Sequence, residues 1–234
     1  MKKLLFASLF FNLVVAGLIV FAFFKIGSPH YLFYLIKNRG QGIVSIKKSK
    51  TSHLKTLPKS EGKIIMLGNS ITAECEWSEL FQNPDILNRG VMGDGTEDIL
   101  NRLDDVVCLK PDKIFLLIGV NDLQFIPLSR ISANYEKIIV RLIKETPSTK
   151  LYLESVLPIH NDLRRNGMKN EDINTLNKQI ELIAQKYGLR YIDLNAKFRN
   201  ETHSLKVELS LDGIHLNGKG YLIFKDAIQA YIND

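Results

Sequence analysis

The chain is poor in cysteine: Cys75 and Cys108 are the only two among 234 residues. They could pair if the domain is exported, but spacing alone does not show that their Cα atoms come within bridging distance, and two buried free thiols are the default expectation. No internal repeat occurs, and no low-complexity tract lies outside residues 27–60. Acidic residues are missing altogether from residues 1–60, which hold ten of the chain's 31 lysines and arginines. The remaining 21 basic residues face 25 acidic ones, so the rest of the chain is net −4 although the whole is +6. That balance excludes a basic nucleic-acid surface on the folded part. With 45% hydrophobic and 24% charged residues, the chain is neither disordered, collagen-like nor a polytopic membrane protein.

After Lys2 and Lys3 comes an uncharged run from Leu4 to Phe24. As a helix it would extend about 30 Å, the thickness of the hydrocarbon core of a bilayer. A cleavable signal has a shorter apolar centre and a small-residue cleavage site, whereas this run ends in Phe21-Ala22-Phe23-Phe24-Lys25. Residues 1–26 are therefore expected to form an uncleaved membrane anchor, residues 27–60 a basic tether punctuated by Pro29 and Pro58, and residues 61–234 the folded domain. Lys2 and Lys3 favour export of that domain, while Lys25, Lys37, Arg39 and the cluster from Lys47 to Lys50 pull the other way. Orientation stays open, with an exported domain as the expectation.

From Lys63 onward, short β-rich runs alternate with segments of helical period. Ile64–Leu67, Ile114–Ile118, Leu151–Val156 and Tyr191–Leu194 read as strands buried on both faces, with Ile86–Leu87 a weaker fifth. Between them, Ile99, Leu103 and Val106 share a helical face. So do Ile131, Tyr135, Ile138, Ile139 and Leu142, then Ile173, Leu176, Ile180 and Ile183, and finally Tyr221, Phe224, Ile228 and Tyr231. This alternation predicts an α/β fold, a parallel sheet sandwiched between helices in three layers. Such folds carry their sites beyond the C-terminal ends of the strands.

The polar residues after each strand are thus the ones to read. Gly68-Asn69-Ser70 follows the first strand, where a serine on a tight turn exposes its hydroxyl beside free backbone amides. Taken alone, the same residues make an ordinary loop or helix cap. Asn88-Arg89-Gly90-Val91-Met92-Gly93-Asp94-Gly95-Thr96 follows the second strand; its glycine order and position argue against a dinucleotide fingerprint. Gly93 could bring a bare N–H to a substrate oxygen, or the loop could simply feed a helix capped by Asp94 or Thr96. Gly119-Val120-Asn121-Asp122 follows the third strand and offers an uncharged amide donor at Asn121. Among the histidines, His30 and His53 lie in the tether. Of His160, His203 and His215, only His215 has an aspartate, Asp212, three residues away in a compact loop. Asp212 could hold that imidazole in the tautomer that accepts a serine proton.

In this order, Ser70, Gly93, Asn121 and Asp212-x-x-His215 resemble the SGNH (GDSL-type) hydrolases over roughly residues 61–221. The stretch Asn88–Leu103 with Gly119-Val120-Asn121-Asp122 is similar to the platelet-activating-factor-acetylhydrolase-like and carbohydrate-acetylesterase-like branches. The resemblance implies a five-stranded sheet of flavodoxin-like order, no metal and no organic cofactor. It also implies Ser70 as nucleophile, His215 as base and Asp212 as its partner, with an oxyanion hole of the Ser70 and Gly93 amides and the Asn121 side chain. One position departs: the family's Gly-Asp-Ser is here Gly68-Asn69-Ser70, so any role of that aspartate beyond shaping the turn lapses.

The implied substrate is a small-molecule or carbohydrate ester with a short acyl group, hydrolysed without a nucleic-acid partner. Lysophospholipid or thioester hydrolysis is the alternative beside a bilayer. A tethered carbohydrate-binding protein without catalysis is a rival of another class, and a nucleotide-binding flavodoxin-like protein a weaker one. His160 and Asn161, after the fourth strand, are candidate substrate-binding residues; Arg164, Arg165 and Met168 in the same loop are further candidates.

Overall fold

The computed structural model describes residues 10–18, 20–21, 41–163 and 167–234. The chain divides into two compact units, Met1–Ser45 and Ile46–Asp234. In the first, residues 10–18 and 20–21 are helical and exposed. Both ends of the Leu4–Phe24 run lie outside the described residues, and among the described residues no helix is long and apolar enough to cross a membrane.

The second unit is built on five parallel strands: β1 (Ile64–Gly68), β2 (Ile86–Gly90), β3 (Lys113–Leu117), β4 (Lys150–Glu154) and β5 (Arg190–Ile192). Their order is β2-β1-β3-β4-β5, the flavodoxin-like order. Alternation along each strand feeds two cores. Ile65, Leu67, Ile114 and Leu116 enter the core on one face, and Ile64, Met66, Phe115 and Leu117 the core on the other. The helices are α1 (Gln41–Thr56), α2 (Ser70–Ala73), α3 (Trp77–Phe81), α4 (Thr96–Asn101), α5 (Asp104–Val107), α6 (Leu128–Glu145), α7 (Asn170–Tyr187), α8 (Asn195–Phe198) and α9 (Gly218–Asn233). Residues from α4, α6 and α7 fill the first core, and those from α3, α8 and α9 the second. Both cysteines are free thiols; Cys75 is buried, Cys108 partly so.

Two elements differ from the sequence reading. The helix expected through Ile99, Leu103 and Val106 is broken into α4 and α5 at Arg102, where φ is −117° and ψ 13°. The buried Arg102 guanidinium donates to Asp94 Oδ2 at 2.7 Å, to the Arg89 carbonyl at 2.8 Å and to the Gly68 carbonyl at 3.2 Å. Those three bonds tie the break to the ends of β1 and β2, and no continuous helix is needed to bury the three apolar residues.

The second half of the segment read as a tether is the helix α1. It lacks proline over its 16 residues, carries Lys55 in its last turn, where the helix dipole favours a cation, and buries Leu54. Lys47 pairs with Asp98 at 2.6 Å and Lys55 with Asp105 at 3.9 Å. The basic helix thus meets the acidic first turns of α4 and α5.

Glu154, the last residue of β4, is buried and its Oε1 has no hydrogen-bond partner. Burial pushes its carboxyl up to about 8. Between the unfolded value of 4.5 and that value, the folded state holds a proton that the unfolded state has lost. Stability therefore falls as pH rises through this window and levels off above it. Glu154→Gln should be more stable than the wild type by a margin that widens from pH 5 to pH 8 in chemical denaturation. An equal margin at both values would mean that Glu154 titrates normally.

Candidate active site

Ser70 opens α2, a helix of only four residues, directly after β1. So short a helix has little stability of its own, and its bonds come from outside. Asn69 Oδ1 caps it by accepting from Ile71 N at 3.0 Å, so the residue that replaces the family aspartate still shapes the turn. The Tyr221 hydroxyl, on α9, donates to the Ile71 carbonyl at 2.8 Å, and Trp77 Nε1 to the Thr72 carbonyl at 2.8 Å. Asn88 Nδ2 reaches the carbonyls of Thr72, Ala73 and Cys75 at 3.0, 3.2 and 3.0 Å. Gly90 makes this approach possible: a Cβ there would lie 2.3 Å from Ala73 N, so β2 and α2 pack backbone to backbone.

Beyond β2, Asp94 N donates to the Val91 carbonyl at 3.2 Å, and Gly93 has φ 78°. Met92 has no positive φ, which makes Val91–Asp94 a type II turn, the form that requires glycine in its third position. Among the described residues the amides of Ser70 and Gly93 have no protein acceptor. Asn121 Nδ2 donates to the Asp94 carbonyl at 2.9 Å, which orients its amide and leaves its second hydrogen for another acceptor. The capping expectation for this loop is corrected. Gly95 is the N-cap of α4, and it is Asp122, across the loop, whose two oxygens accept from Thr96 N at 3.1 and 3.0 Å. Burial pushes the Asp122 carboxyl up, against the Thr96 bonds that favour its charge.

His215 arrives from the loop before α9. Its Nε2 lies 2.9 Å from Ser70 Oγ and its Nδ1 2.7 Å from Asp212 Oδ2. The other Asp212 oxygen accepts from the amides of His215 and Ile214 at 2.9 and 3.0 Å. Partial burial alone would raise the Asp212 carboxyl, but the His215 amide and imidazole and the Ile214 amide outweigh it and hold it at about 2. Above about pH 5 the carboxylate is charged in the folded and unfolded chain alike, and the stability its bonds contribute is lost progressively as pH falls from there through 2. A hydroxyl, an imidazole and a carboxylate in line can move a proton off the hydroxyl and back. Glu74 adds a second carboxylate, 3.9 Å from His215 Nε2.

Residues 66–223 match the model of the GDSL-like Lipase/Acylhydrolase family, and the chain belongs to that family: it is a hydrolase acting on esters. It is 24% identical to platelet-activating factor acetylhydrolase IB subunit alpha2 of Rattus norvegicus over 69% of this chain and 72% of that one. It is 23% identical to acetylxylan esterase of Geobacillus stearothermophilus, over 80% of this chain and 92% of that one. A solved Streptococcus pneumonia protein described as a platelet activating factor superposes with a TM-score of 0.75 and 28% identity, over 87% of this chain and 99% of its own.

The structure brings together Ser70, Asp212 and His215, and separately Gly93 with Asn121 through Asp94. His160 touches the site loop by its backbone, its N donating to the Gly213 carbonyl at 2.8 Å, while its buried Nδ1 has no hydrogen-bond partner among the described residues. Asn161 is exposed in a turn. Arg164 and Arg165 lie outside the described residues. Met168 is corrected: it is buried in the first core, where its side chain packs rather than faces a substrate. Sequence reasoning missed the scaffold residues Asn88, Arg102, Lys47 and Asp122. The acidic excess of the folded part was the one signal that a cation such as Lys47 would find partners there. Asp122→Ala should leave Thr96 N unpaired in a buried site and destabilise the domain by about 1–3 kcal/mol in urea denaturation. No change in the urea midpoint would show that water replaces the carboxylate.

Proposed function

We propose that the protein is a serine esterase that removes short acyl groups from hydroxylated, carbohydrate-like alcohols through an acyl-enzyme. The observation that carries this reading is the unbroken line from Asp212 through His215 to Ser70. Asp212 Oδ2 accepts the Nδ1 proton of His215, which leaves Nε2 free to take the Ser70 proton as Oγ attacks the ester carbonyl. The tetrahedral oxyanion accepts from the amides of Ser70 and Gly93 and from Asn121 Nδ2. Collapse returns the proton from His215 to the leaving alcohol. A water deprotonated by His215 then attacks the acyl-enzyme and releases the acid. Ser70, Asp212 and His215 in these roles argue against a non-catalytic binder, which needs none of them.

A polar alcohol is supported by the pocket of about 440 Å³ beside Gly93 and Asn121, whose lining also includes Lys47, Glu97, Asp98 and Phe125. The acetylxylan esterase relative points the same way. A lipid ester is the second reading: Phe125 and Leu211, on the loops that carry Asn121 and Asp212, are 80% and 88% exposed. It fits with membrane attachment through Leu4–Phe24, which is part of the same proposal.

Ser70→Ala should abolish p-nitrophenyl acetate hydrolysis. Asn121→Ala should lower kcat by about 10²- to 10³-fold, the usual effect of removing one oxyanion donor. Near-wild-type kcat in Asn121→Ala would remove that side chain from the hole. With the wild type, kcat/KM should be higher for acetyl than for octanoyl esters, and a steep rise with chain length would favour the lipid reading.

A further inference from the structure

The helix before the sheet reaches the oxyanion loop. Lys47 Nζ donates to the Gly93 carbonyl at 3.3 Å and lies 2.6 Å from Asp98 Oδ2 and 3.6 Å from Asp94 Oδ1. Its side chain is 22% exposed, so it is a partly desolvated cation among three acceptors. Lys47 also stands outside the span 66–223 that matches the family.

We propose that Lys47 is a positioning residue for the oxyanion hole, which makes α1 part of the catalytic apparatus rather than a spacer. The inference rests on the esterase reading above. A type I and a type II turn differ chiefly in the peptide between the two central residues, which turns by roughly half a rotation between them. In Val91–Asp94 that peptide joins Met92 to Gly93 and carries the Gly93 N–H. The orientation of the proposed oxyanion donor is therefore the choice between two turn types. Lys47 acts on the next peptide, whose carbonyl belongs to Gly93. Accepting from Lys47 fixes that carbonyl in the type II arrangement. The same ammonium holds Asp98, whose Oδ2 accepts from Gly95 N at 2.9 Å, and lies near Asp94, whose carbonyl orients Asn121. One cation thus restrains the loop on both sides of Gly93 and touches the network that aims the second donor.

The test compares Lys47→Met, which keeps the aliphatic stem and removes the charge, with Lys47→Arg in the full chain. Three readouts are used: p-nitrophenyl acetate kinetics, thermal midpoint and hydrogen exchange in peptides covering residues 91–96. Loss of an oxyanion donor costs about 10²–10³ in kcat, so loosening one should lower kcat about 10-fold in Lys47→Met, with KM within about twofold. Exchange should rise in that segment alone, the thermal midpoint should hold, and Lys47→Arg should recover most of the rate. Unchanged kcat with unchanged local exchange would overturn the proposal. So would a loss of rate accompanied by faster exchange throughout the domain, which is the mark of a merely stabilising contact. Absence of turnover in the folded wild type would sink the esterase reading instead, and the exchange data would then decide the role of Lys47 alone.

Discussion

The contact between Ser70 Oγ and His215 Nε2 joins residues 145 positions apart across 2.9 Å, and no local structure can secure it. A single hydrogen bond contributes only about 1 kcal/mol net, so the fold must hold both ends before the bond forms. Ser70 is fixed by β1, whose residues are buried throughout, and by the ring of donors from Tyr221, Trp77 and Asn88 around α2. His215 is fixed by Asp212 and by the start of α9. Tyr221 belongs to α9 and binds α2, so one side chain ties the two ends together. The aromatic packing of Trp77 against Tyr221 and Phe224, with ring centroids 6.0 and 5.0 Å apart, makes that tie stiff.

Around this line, three carboxylates do different work because their surroundings differ. Asp212 collects two amides and an imidazole, stays charged, and orients the His215 ring. Asp94 is more deeply buried; burial pushes its carboxyl up, and Arg102 and Lys47 counter this by favouring the charge. Asp122 supplies Thr96 at the start of α4 with the side-chain acceptor that Gly95, its N-cap, lacks. The last two set the loops that carry Gly93 and Asn121, so the electrostatic scaffold and the proposed oxyanion hole are one structure.

The architecture was legible because both of its signals are local. Continuous β-rich runs such as Ile64–Leu67 mark strands buried on both faces, and the polar residues after them mark the sheet edge where sites form. The trio of Ser70, Asp212 and His215 could be read for the same reason, with the family resemblance supplying the pairing across the chain. The scaffold was less legible. Arg102 carried no signal of its own in the sequence, and only its three long-range bonds explain the break there. Asp122 gave no sign of capping α4 because its partner, Thr96, lies 26 positions earlier. Lys47 read as one charge in a basic tether, since the acceptors that give it a role come from another part of the chain. Residues acting through tertiary contacts leave no periodic trace, and composition alone hinted that the acidic domain would draw basic helix α1 against it.

The central claim is that Ser70 is a nucleophile activated through His215, and covalent labelling tests it most directly. The wild type would be incubated with a fluorophosphonate and digested, and the modified residue located by mass spectrometry, beside His215→Ala. The account predicts a single adduct, on Ser70, that forms far more slowly in the variant. A folded wild type that stays unlabelled, or an adduct on another residue, would contradict it.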